Sequence, residues 1–83
     1  MNTYRCVFTL LCPNNRQPIR YDLRITTKEI IPVEDLVAFH EEAAADFHET
    51  FADRLAARFP GRQILRAEHH GVFITTTRGA RPA

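Results

Sequence analysis

PVEDLVAFHEEAAADFHETFADRLAARF, from Pro32 to Phe59, decides the fold of this chain. Pro32 suits a first helical turn, where its missing N–H leaves no bond unmade. Glu34 and Asp35 follow it and complement the positive end of a helix dipole. At about 100° per residue, Val33, Leu36, Val37, His40, Ala44, Phe47, Phe51 and Leu55 fall on one face. Ala43 to Ala45 and Ala56-Ala57 are strong helix formers. Arg54 and Arg58 suit the negative end of the dipole, and Pro60-Gly61 stops the run. The stretch therefore predicts one long amphipathic helix over residues 32–59, with an acidic outer side.

Strands are expected on either side of it. Tyr4 to Leu11 is rich in aromatic and β-branched residues, with Tyr4, Cys6, Phe8 and Leu10 on one face. Cys12 to Pro18 carries two prolines and an Asn pair, which breaks the pattern. From Ile19 to Thr27 the alternation is clean. Ile19, Tyr21, Leu23 and Ile25 face one way, and Arg20, Asp22, Arg24 and Thr26 the other. A connection this short makes the pair an antiparallel hairpin. After Gly61, Leu65 and Ala67 share one parity, whereas Val72 and Ile74 have the other. A bulge at Gly71 in one long third strand accounts for the flip, and a tight turn between two short strands is the alternative. We prefer the bulge.

The expected fold is α+β: a ββαβ two-layer sandwich with one long helix across a three-stranded antiparallel sheet. Residues 1–77 form its single domain, and 78–83 read as a disordered tail. A straight helix over residues 32–59 would be about 42 Å long at ~1.5 Å per residue. A strand of the expected length spans only about 30 Å. The helix must then overhang its sheet or bend, and a second copy covering the exposed surface, a homodimer, is expected.

Composition narrows the function classes. The chain has 83 residues, 45% of them hydrophobic and 25% charged, with a formal net charge of +1. No apolar run reaches the length a membrane helix needs, and the N-terminus lacks the layout of a signal peptide. A cytoplasmic location is expected. Cys6 and Cys12, both on or just beyond one extended strand, would lie about 20 Å apart, too far for a disulfide. Reduced thiols, with Cys6 in the core, are expected. The charge itself is polarised. Residues 29–53 hold eight acids and no Lys or Arg, and the rest holds all eleven bases against Asp22 and Glu68. That is −8 against +9, a pattern that concerns partners rather than fold.

Motifs for catalysis or cofactors do not emerge. His40-Glu41-Glu42-Ala43-Ala44 begins as a zinc-protease helix would, but Ala44 stands at the second ligand position. His40 and His48 would be about 12 Å apart along one helix. His69 and His70, adjacent on a strand, would face opposite ways. A metal site from His48 and one of these requires the fold to bring them together. The chain contains no serine, and Gly61, Gly71 and Gly79 are isolated rather than grouped in a phosphate loop. We expect no cofactor, no metal and no enzyme.

Surface charge gives three readings. Asp35, Glu42, Asp46, Glu49 and Asp53 share a narrow arc of the expected helix, with Phe39 beside them as an exposed aromatic anchor. This favours a protein-interaction module that docks a basic partner or a second copy. Arg5, Arg20, Arg24 and Arg66 would instead decorate the open sheet face and could hold a nucleic acid. Its weakness is that Tyr4, Phe8 and Tyr21 point to the core, which leaves only Phe73 for stacking. The third reading is a mobile-element inhibitor whose acids stand in for phosphates.

Overall fold

The first hairpin forms as its alternation dictates. A computed structural model describes residues 1–79. In it β1 (Asn2–Leu11) pairs antiparallel with β2 (Pro18–Thr27). The register sets Tyr4, Cys6, Phe8 and Leu10 opposite Ile25, Leu23, Tyr21 and Ile19. These eight line the helix side, and Tyr21 and Ile25 have no exposed surface. The connecting loop closes through Arg16 N–H on the Cys12 carbonyl (2.7 Å) and Cys12 N–H on that of Gln17 (2.9 Å). Cys12 is buried and Cys6 half-buried, the reverse of their expected ranking, because the turn tucks Cys12 under the helix layer.

The long helix is two helices. α1 (Val33–Ala43) and α2 (His48–Arg58) are separated by a connector over residues 44–47, where Ala44 adopts φ 52°. The break relieves the length mismatch. At Ala44 the chain turns onto the end of β1, and Leu11 N–H donates to the Ala44 carbonyl at 2.9 Å. α1 then lies over β1 and α2 over β4. This re-phases the apolar stripe. Leu36, Phe51 and Leu55 are buried as expected, but Val33, Val37 and Phe47 are exposed. Phe39, expected outside the core, is half-buried and packs its ring on Phe51 (5.6 Å between centroids) and Phe59 (5.4 Å).

The third strand is likewise two. β3 (Arg62–His69) and β4 (Val72–Arg78) pair antiparallel around a two-residue loop, His70-Gly71, with φ 53° and 79°. Positive φ at both positions makes a type I′ hairpin turn, which matches strand twist. With His69 opposite Val72, odd residues of β3 share a face with even residues of β4. The phase flip at Gly71 is therefore a turn and not a bulge. The fold is α+β with a four-stranded antiparallel sheet in the order β1-β2-β3-β4 and two short helices, in place of three strands and one helix. β3 lies beside β2. Arg78 closes β4, and residues 80–83 of the expected tail lie outside the described residues.

Polar groups of the helix layer tie it down. Gln63, buried on β3, donates through Nε2 to the Leu55 and Phe59 carbonyls (3.1 and 3.0 Å), so it caps the C-terminal end of α2. Tyr4 Oη accepts from Ile31 N–H at 3.0 Å and anchors the segment entering α1. No helix is long and apolar enough to cross a membrane among the described residues.

Candidate functional site: a basic open sheet face

The helices cover one side of the sheet and leave the other bare. Alternation places Arg5, Val7, Arg20, Asp22, Arg24, Arg62, Ile64, Arg66, Glu68, Phe73 and Thr75 on that bare side. Five arginines face two acids. Register concentrates them: Arg5 stands directly opposite Arg24, and Asp22 directly opposite Arg66. Directly opposed like charges across two strands are unfavourable. Asp22 offsets part of this. Arg5 Nη2 and Nε donate to it at 2.7 and 3.1 Å. That bond first, with the charges of Arg5, Arg24 and Arg66, lowers the pKa of the Asp22 carboxyl against the opposing effect of burial. This carboxylate thus bonds one guanidinium group and lies near two more. Arg20, Arg24, Arg62 and Arg66 make no ion pair among the described residues.

Beside this cluster the sheet twist opens a shallow hollow of about 370 Å³. Arg5, Arg20, Asp22, Arg66, Glu68 and Phe73 are among the residues that line it. Phe73 is 79% exposed, far beyond what a core aromatic shows. The tight turn at His70-Gly71 creates this exposure, because it puts Phe73 on the bare face and Ile74 on the helix side. Sequence reading found Arg5, Arg20, Arg24 and Arg66 from strand parity. It missed Arg62, which the register places on the same face, opposite Thr26.

The acidic residues are arranged differently. Asp35 receives Arg58 (3.4 Å), Asp46 receives Arg54 (2.7 Å) and Asp53 receives Arg78 (2.8 Å). Asp46 also accepts from Phe47 N–H at 2.9 Å and so belongs to the start of α2. Glu42 and Glu49 are exposed, on different helices. Phe39 lies inward of them, under the Arg54 guanidinium at 5.5 Å.

The histidines divide between core and turn. His40 stacks on Phe8 (4.5 Å, 6° between planes). His48 Nε2 lies 2.8 Å from Thr76 Oγ1. Burial pushes both imidazoles below their ordinary pKa, against the weaker pull of Glu41 and Glu49. Above that ordinary value, near 6.5, both are neutral folded and unfolded. As pH falls through it, the unfolded chain takes up protons that the folded chain resists, so folding weakens. We expect the melting temperature to drop between about pH 7 and pH 5, and His48→Gln to flatten that drop; a rise on acidification would contradict this. Among the described residues no three His, Cys, Asp or Glu side chains stand where they could hold a metal ion. Compared with known proteins, the chain matches no family model, no curated protein and no solved structure.

Proposed function

We propose that this protein is a binding module that holds single-stranded nucleic acid on its open sheet face. The observation that carries the reading is the cluster of five arginines across β1, β2 and β3 against two carboxylates, Asp22 and Glu68. A phosphate chain relieves that repulsion and gains charge-assisted hydrogen bonds from the planar guanidinium groups. Phe73 supplies one face for stacking a base, next to a hollow wide enough to admit it. The helices on the far side supply rigidity and no contacts.

Fluorescence anisotropy of a labelled oligonucleotide tests this. A dissociation constant on the order of 1–100 μM is expected near physiological salt. Arg24→Glu with Arg66→Glu should weaken binding at least tenfold, and Phe73→Ala about fivefold or more. Equal affinity of the double-arginine variant and the parent would refute the proposal, and tighter binding of duplex than of single strand would reassign the ligand.

A second reading rests on the helix layer. Ile30, Val33 and Val37 form an exposed apolar row at 85, 60 and 39% exposure, flanked by Glu34 and Glu41. An apolar strip rimmed by acids fits a basic protein partner, including the arginine face of a second copy. Sedimentation velocity at several salt concentrations separates the two readings. Self-association that disappears with salt and with Glu34→Lys plus Glu41→Lys favours the second.

A further inference from the structure

On the helix side, a separate cavity of about 50 Å³ lies between the end of β1, the α1–α2 connector and the strands β2, β3 and β4. Cys12, Tyr21, Asp46, Phe47, His48 and His69 are among its walls. Tyr21 has no exposed surface, yet its hydroxyl has no hydrogen-bond partner among the described residues. The same is true of two other buried atoms on these walls, His48 Nδ1 and His69 Nε2. A buried polar atom without a partner is costly, and three around one cavity call for a shared partner. The space exceeds the roughly 10–15 Å³ that one water requires and is far below what a drug-sized ligand fills.

We infer that this cavity is a built site for ordered water, bridging Tyr21, His48 and His69 and joining the sheet to the start of α2. The donor count closes. Tyr21 O–H donates to the water oxygen, and the two water hydrogens go to His48 Nδ1 and His69 Nε2. His48 then carries its own proton on Nε2 and donates it to Thr76 Oγ1, at the observed 2.8 Å. His48 stays neutral, as burial favours. The site thereby fixes the tautomer of each histidine. It is independent of the open sheet face and of any ligand bound there.

Tyr21→Phe is the discriminating variant. If the hydroxyl were simply orphaned, its removal would leave the melting temperature unchanged or raise it. With water bound, a hydrogen bond is lost and the melting temperature should fall by roughly 3–8 °C. A crystal structure of the parent chain should show water about 2.6–3.2 Å from Tyr21 Oη and from at least one of the two histidine nitrogens. Three results would overturn the inference: no fall in Tyr21→Phe, a Tyr21 hydroxyl bonded to a protein group with no water present, or a zinc-induced rise in melting temperature that His48→Gln removes. The last would assign the cavity to a cation.

Discussion

Phe51→Ala should remove most of the stability of this fold. Phe51 has no exposed surface, and its ring meets an aromatic ring on each of β1, β2 and α1. It meets Phe8 of β1 edge-on at 5.7 Å, Tyr21 of β2 at 6.2 Å and Phe39 of α1 at 5.6 Å. Truncating a fully buried phenylalanine costs about 3–5 kcal/mol, from lost burial and from the cavity left behind. A domain of this size has a total stability of roughly 5–8 kcal/mol, so the variant retains little margin. Urea denaturation checks the figure. A loss below about 1.5 kcal/mol would mean that the two helices do not share one core.

Gly61→Ala is the second large effect, and it acts through the backbone. Gly61 links α2 to β3 with φ 93°, a region that L side chains rarely adopt. A methyl group there would collide with the Thr26 carbonyl oxygen and crowd the Thr27 Cβ at 2.7 Å. Neither can retreat easily. Thr26 is paired with Arg62 in the ladder, and Thr27 is buried, with Oγ1 accepting from Glu29 N–H at 3.1 Å. Backbone strain of this kind costs about 1–3 kcal/mol, and the clash adds to it. The melting temperature should fall by roughly 10 °C or more. Gly71→Ala makes a useful control. It also has positive φ, but a methyl group there meets nothing within 4 Å, so strain alone operates and the fall should be smaller.

The first hairpin was legible because two independent signals agreed on it. Period-two alternation fixed the faces of β1 and β2, and a short Pro/Asn loop fixed the antiparallel sense. The helix break was not legible from periodicity. Ala43, Ala44 and Ala45 are strong helix formers, and nothing in them announces a residue at φ 52°. Tertiary packing overrides their propensity, since a straight helix would run off the sheet. The turn at His70-Gly71 was visible as a parity flip, but a bulge and a two-residue turn produce the same flip. Only the pairing of His69 with Val72 distinguishes them.

The same two features explain how far the candidate site could be foreseen. Arg5, Arg20, Arg24 and Arg66 follow from strand parity, so they appear together as expected from the hairpin and β3. Phe73 reaches that face through the tight turn. The acidic arc, by contrast, depended on one unbroken helix. Once the helix divides, Asp35, Asp46 and Asp53 find arginine partners and Glu42 separates from Glu49. Exposed ion pairs of this kind add little stability, at most about 1 kcal/mol each, but they remove acids from the helix surface. Arg20, Arg24, Arg62 and Arg66 remain together on one sheet face without ion-pair partners among the described residues.

A nucleic-acid site on that face is tested most directly by the salt dependence of oligonucleotide binding. If Arg20, Arg24 and Arg66 each neutralise one phosphate, log affinity against log salt should fall with a slope near −2. Raising salt from about 50 to 200 mM should then weaken binding roughly 15- to 20-fold. Arg24→Glu with Arg66→Glu should flatten the slope towards zero. A slope near zero for the parent chain, or one that the double variant leaves unchanged, would contradict a nucleic-acid site on this sheet.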